Sequence, residues 1–169
     1  MVCSGQERLR NEHLDVINLA DLVRSEVGVL QVAHPSALFR CALPDEALVR
    51  ADEELVRRAV ANLLENAIQH GAGAAIEVDM THAGDRLAFS VRNGGSTIPP
   101  ELREQIFLPF FRARPAPGVP GFGLGLPLAR AVARAHGGDV EVASERNHET
   151  EMVLRLPLVM WHQAEAPVT

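Results

Sequence analysis

An α+β two-layer sandwich, with a mixed and mostly antiparallel sheet covered by helices on one face, is the fold class this sequence predicts. Three patterns predict it. Stretches with apolar residues at helical spacing alternate with stretches at strand spacing, and the strands come mainly as hairpin-connected pairs. Of the 169 residues, 47% are apolar, enough for one domain to bury a core.

Taking the elements in order, Leu19, Leu22, Val23, Val27 and Leu30 suggest a first helix, and Ala37–Leu43 a strand. Asp52 then caps a long helix with Glu53 and Glu54 in its first turn. Its apolar positions, Leu55, Val56, Ala59, Val60, Leu63, Leu64, Ala67 and Ile68, recur to Gly71. Ile76, Val78 and Met80 alternate with Glu77, Asp79 and Thr81. After His82-Ala83-Gly84-Asp85 the alternation resumes through Leu87, Phe89 and Val91, the pattern of a β-hairpin. Arg114-Pro115-Ala116-Pro117-Gly118-Val119-Pro120-Gly121 forbids regular structure and reads as an exposed loop. Leu124, Leu128, Ala131, Val132 and Ala135 mark a further helix ending at Gly137-Gly138, and strands follow near 139–144 and 150–157.

Composition narrows the function. The net charge is −6, and all 16 basic residues are arginine, so phosphate-binding loops built on a lysine ammonium, the Walker A loop among them, are excluded. The acidic balance argues against a nucleic-acid partner. Cys3 and Cys41 supply neither a disulfide framework nor metal-ligand spacing, which points to a reducing, cytoplasmic setting. No apolar run approaches the roughly 18 residues a membrane span needs, so no membrane contact by this segment is expected, although its parent protein can be membrane-attached.

Chemistry concentrates in two places. Asn62 and Asn66 lie one turn apart on the long helix, with Gln69 and His70 at its end. An asparagine oxygen is a hard, neutral ligand suited to Mg²⁺ shared with phosphates, although such amides more often face solvent or make core hydrogen bonds. Gly121-Phe122-Gly123-Leu124-Gly125-Leu126 runs three alternating glycines into a helix N-terminus, where backbone amides can approach an anion closely. The same glycines also serve simply to allow a tight loop-to-helix connection.

Together these residues resemble the catalytic, ATP-binding domain of bacterial sensor histidine kinases, within the gyrase, heat-shock chaperone, histidine kinase and mismatch-repair ATPase group with its GHKL (Bergerat) fold. Asn62-Leu63-Leu64-Glu65-Asn66-Ala67 resembles the N box and Ile106-Phe107-Leu108-Pro109-Phe110-Phe111-Arg112 the F box. Gly121 to Leu126, trailed by Ala135-His136-Gly137-Gly138, resembles the second glycine box. The resemblance spans about residues 14–158. It implies that Asn66 ligates Mg²⁺, that Asn62 lies near the phosphates, and that Phe107 and Phe110 anchor a lid covering about 108–122. Arg112 is then a candidate phosphate contact. It further implies nucleotide contacts from Gln69, His70, Asn93, Gly95, Ile98, Gly121, Gly123, Leu124, Gly125 and Leu126. Residues 1–13 are expected to be the tail of a missing phosphoacceptor hairpin or a leader, and 159–169 a C-terminal tail.

The first glycine box departs from the family's D-x-G-x-G: the chain has Asn93-Gly94-Gly95-Ser96-Thr97. Asn93 keeps an acceptor oxygen for the adenine amino group but not the charge. Gln69 stands where many relatives carry a phosphate-reaching lysine. Asn62 cannot act as a general base for water, so transfer to histidine is favoured over hydrolysis. Glu65, beside Asn66, is expected to be solvated. The acceptor itself is not in this sequence, since none of His13, His34, His82, His136, His148 and His162 stands in an H-E-x-x-[NT]-P-like segment. The expected partners are therefore ATP, a dimerisation domain bearing the acceptor histidine, and a response regulator downstream. Two alternatives stand beside this reading. One is a degenerate nucleotide-binding or regulatory module, motivated by Asn93, Thr97 and Gln69; the other is a serine kinase acting on anti-sigma antagonists.

Overall fold

The computed structural model describes residues 14–95, 97–112, 122–143 and 149–159. Its elements run β1 (Asp15–Asn18), α1 (Leu19–Ala33), β2 (Phe39–Ala42), β3 (Leu48–Ala51), α2 (Glu53–His70), β4 (Ile76–Ala83) and β5 (Arg86–Gly94). Two short 3-10 turns, Pro100–Leu102 and Gln105–Phe107, lead to α3 (Gly125–Ala135), β6 (Asp139–Ala143) and β7 (Glu149–Pro157). Five strands form one sheet in the order β2-β4-β5-β7-β6, antiparallel except for β2 beside β4. This is the mixed, mostly antiparallel sheet and helix layer that the sequence predicts. The Pro/Gly loop at 114–121 and residues 1–13 and 160–169 lie outside the described residues.

Alternation along the strands assigns the two faces. Val78, Met80, Leu87, Phe89, Val91, Met152, Leu154 and Leu156 point inward and are buried against Val56, Val60, Leu63, Leu64, Ala129, Val132 and Ala133 of α2 and α3. The outward rows carry charge instead. Arg92 bridges Glu77 and Glu151 across three strands, at 2.9 and 3.2 Å, and Arg155 meets Glu141 at 2.6 Å.

The small antiparallel pair β1–β3 is a feature the sequence does not announce. It is tied to the main body at the end of β7, where the Val159 N–H donates to the Leu48 carbonyl at 3.0 Å. Asn18 finishes β1 and caps α1: its Oδ1 accepts from the Ala20 N–H at 3.2 Å and from the Ala47 N–H at 2.9 Å. His136, just past α3, ties that helix to the start of α2, because its Nδ1 pairs with the Val132 carbonyl at 2.7 Å while Nε2 accepts from the Asp52 N–H at 3.1 Å.

Candidate functional site

The polar stripe on α2 survives folding. Asp52 caps the helix through the Leu55 N–H at 3.0 Å, and Val56, Ala59, Val60, Leu63, Leu64 and Ala67 bury the face toward the sheet. Asn62 and Asn66 stand half-buried beside that apolar face, whereas Glu65, Gln69 and His70 are exposed. Gln69 makes no hydrogen bond among the described residues.

At one end of the stripe, α2 meets the end of β5. Asn93 is 3% exposed and Thr150 5%, and they are the buried polar residues among those described. They face one another in register across β5 and β7, extending the inward rows of Phe89-Val91 and Met152-Leu154. Thr150 escapes sequence reasoning, because only the β5–β7 register reveals its position opposite Asn93. Asn93 Nδ2 donates to the Gly94 carbonyl at 2.9 Å. Gly71, closing α2, admits no side chain, since an added Cβ would lie 2.6 Å from the Ala67 carbonyl oxygen, and it packs beside Asn93, whose Cβ would be 3.6 Å away. Gly95 has φ +116° and passes so close to the His70 carbonyl that a Cβ would collide with it. The glycines of this segment therefore bring backbone from two elements into contact around Asn93.

At the other end, α3 begins directly over Asn62: a Cβ on Gly125 would sit 3.2 Å from the Asn62 Oδ1. No side chain caps this helix, and Pro127 has no N–H, so the first-turn donors are the backbone amides of Gly125 and Leu126. Leu124, in the N-cap position, is exposed, while Leu126 and Ile98 pack partly buried against the core. Gly123, at φ +70°, is threaded against the backbone of Phe110 and Phe111. Its carbonyl accepts from the Phe110 N–H at 3.0 Å. The chain therefore leaves and re-enters the 113–121 segment through one hydrogen-bonded neck. Phe110 itself takes φ 65° and is 74% exposed. Gly121 lies outside the described residues.

Phe107 is buried below this neck, with the Arg130 guanidinium 4.4 Å from its ring centroid. Arg130 also bonds Glu104 at 2.7 Å and Asp139 at 2.9 Å, joining α3 to the F-box turn and to β6. Burial alone would raise the Asp139 carboxyl, but hydrogen bonds from Arg130 and Arg134 prevail and hold it at about 2. Partial desolvation of its ring, and then the charge of Arg112, pulls the imidazole of the otherwise exposed His70 below the usual histidine range. The structure thus joins Asn62 and Gly125, next to Gly123, at one end of the stripe and His70, Asn93 and Gly95 at the other, with Asn66 between.

Residues 51–160 match the family described as histidine kinase-, DNA gyrase B-, and HSP90-like ATPases. The chain belongs to that family. It is 34% identical over 157 residues to the sensor protein IrlS of Burkholderia pseudomallei (strain K96243), covering 91% of this chain and 33% of that protein. It is 35% identical over 139 residues to the sensor protein KdpD of Escherichia coli (strain K12), covering 81% and 15%. The chain thus spans about a third or less of these relatives. Among solved structures, the nucleotide-free catalytic domain of the histidine kinase ThkA superposes with TM-score 0.75 at 27% identity, over 85% of this chain and 95% of that one. The mycobacterial sensor histidine kinase MprB superposes with TM-score 0.77 at 23% identity, over 86% and 97%, and shares the fold.

Proposed function

We propose that the α2–α3 rim binds Mg²⁺-ATP and that residues 14–158 are a catalytic domain that passes the γ-phosphoryl group to a histidine on a separate dimerisation domain. The observation that carries this reading is the seat of Gly125 on Asn62, which sets an uncapped helix N-terminus beside the asparagine stripe. Backbone donors with partial positive charge there suit a polyphosphate. The nucleotide base then falls at the Asn93 end, with Gly95 and Ile98 beside it, and Arg112, following the neck at Phe110, is a candidate phosphate contact.

Asn66 would hold the metal. Its half-buried amide offers one hard, neutral oxygen, which fits an ion that keeps its waters and shares its coordination with phosphates. Among the described residues no group of three or more His, Cys, Asp or Glu side chains gathers, so no protein cage for a divalent ion stands there. Mg²⁺ supplies neutralisation of phosphoryl oxygen charge when bound.

Catalysis on this reading is positioning. The neck at Phe110 and Gly123 supports a lid over 108–122, and the buried Phe107 anchors its root. The acceptor imidazole nitrogen attacks the γ-phosphorus, the bond to the β–γ bridging oxygen breaks, and ADP departs. Asn62 has no basicity with which to activate a competing water. A cytoplasmic setting and a response regulator downstream belong to the same proposal.

The test supplies the chain with a separately purified histidine-bearing hairpin from a sensor kinase and γ-labelled ATP. Label on the hairpin that is lost in acid and kept in base is the expected result. Acid-stable label, or none with ATP bound, would overturn the assignment to histidine transfer.

A further inference from the structure

Arg130 lies in the middle of α3, yet its guanidinium is spent on groups outside that helix. Nη1 and Nη2 donate to the two Glu104 oxygens at 2.7 and 3.3 Å, Nε donates to Asp139 Oδ1 at 2.9 Å, and the guanidinium carbon stands 4.4 Å from the Phe107 ring centroid. Glu104 is 81% exposed, and an ion pair so open to water contributes little to stability while it restrains two long side chains. What the fork supplies is geometry. Paired bonds and a stacked ring fix direction as well as distance, which a lysine ammonium could not do.

That geometry closes a circuit. Glu104 precedes the turn Gln105–Phe107, and three residues beyond it the Phe110 N–H donates to the Gly123 carbonyl at 3.0 Å. Gly123 leads through Leu124 to Gly125, which seats the uncapped start of α3 on the Asn62 Oδ1. The helix then returns to Arg130, about 7.5 Å along its axis from Gly125. Through Arg130, α3 therefore holds the turn that in its own right holds the approach to the first amides of α3. Ala129, Val132 and Ala133 keep the helix body in the core, so cutting the link frees the turn and Gly123 rather than the helix.

We propose that Arg130 is a positioning residue for phosphoryl transfer: through its paired bonds to Glu104 it fixes the turn before Phe110 on α3 and so aligns Gly123 and the Gly125 and Leu126 amides on the transferring phosphate. The inference rests on the transfer reading proposed above. A misplacement of about 1 Å far from the chemistry can slow a reaction about a hundredfold. The residues of α2 and β5 assigned to metal and base stay in place when the link is lost, so the loss falls on the rate at saturation rather than on affinity.

The test compares the native full chain with Glu104→Ala, Arg130→Lys, Arg130→Met and the double variant Glu104→Ala/Arg130→Met. Each receives the histidine-bearing hairpin and γ-labelled ATP over a range of Mg²⁺-ATP concentrations, and urea denaturation reports folding. Glu104→Ala is expected to keep the native denaturation midpoint, to slow transfer about tenfold or more at saturation, and to leave the half-saturating concentration within about threefold. A merely structural contact would move the midpoint and leave the saturated rate of the folded protein alone. Arg130→Lys keeps the charge but not the fork and is expected to stay slow, and the double variant to be no slower than Arg130→Met. A native saturated rate in folded Glu104→Ala, full rescue by lysine, or losses that multiply in the double variant would each overturn the inference and leave histidine transfer standing. If the native chain binds ATP but labels nothing, the transfer reading fails and this inference falls with it. Glu104→Ala decides the question even if no Arg130 variant folds.

Discussion

Asn93 shows how one residue can be conspicuous in sequence while its environment is not. Its departure from the family's aspartate is plain in Asn93-Gly94-Gly95, but its burial, its bond to Gly94 and its pairing with Thr150 depend on β5–β7 register. Thr150 sits in a stretch that reads only as strand, so periodicity gives it no functional mark. His70 carries a prediction at this scale. Partial desolvation of its ring and the charge of Arg112 lower its folded pKa below the unfolded value of 6.5. Between the two values the unfolded chain binds more protons, so stability rises with pH through that window and falls as the solution is acidified below 6.5. Urea denaturation across that window should show this loss, and His70→Gln should reduce it. Identical pH slopes for the two proteins would contradict the local electrostatics.

At the level of elements, long periodic segments were the legible ones. The apolar repeat from Leu55 to Ile68, with Asp52 before it, matches α2, and the alternation around His82–Asp85 matches β4 and β5. The strand expected over Ala37–Leu43 is shorter, Phe39–Ala42, and runs parallel to β4; its edge position leaves Arg40, Cys41 and Ala42 exposed, so little alternation is written into it. β1 and β3 have four residues each, too few for a period, and gain their place through the Asn18 cap and the end of β7. The neck between the F-box turn and α3 was visible as composition but not as geometry. Its rigidity is testable, because Gly123 has φ +70° and an added Cβ would lie 2.7 Å from the Phe111 carbonyl. Gly123→Ala should destabilise the protein by about 1–3 kcal/mol in chemical denaturation. Gly28→Ala, in open space within α1, should instead stabilise it by about 0.5–1 kcal/mol. Equal effects at the two positions would remove the argument for a strained neck.

Across the whole molecule, the sheet and its single helix layer expose one end of α2, and every expected motif among the described residues arrives there from a different element. Asn62 and Asn66 come on α2, Asn93 and Gly95 at the end of β5, and Gly123 and Gly125 at the start of α3. Ordered motifs in one chain made this convergence readable in outline. What sequence could not supply was which glycines serve close approach, since a Cβ has meaning only beside a known neighbour: Asn62 for Gly125, the His70 carbonyl for Gly95. The central claim is that these parts form one metal-dependent nucleotide site. Its most direct measurement is calorimetric titration of ATP into the full chain with and without Mg²⁺, repeated on Asn66→Ala with folding checked by circular dichroism. The account predicts saturable Mg²⁺-dependent binding that folded Asn66→Ala loses. Equal Mg²⁺-ATP affinity in the two proteins, or no binding by the folded native chain at millimolar ATP, would contradict it.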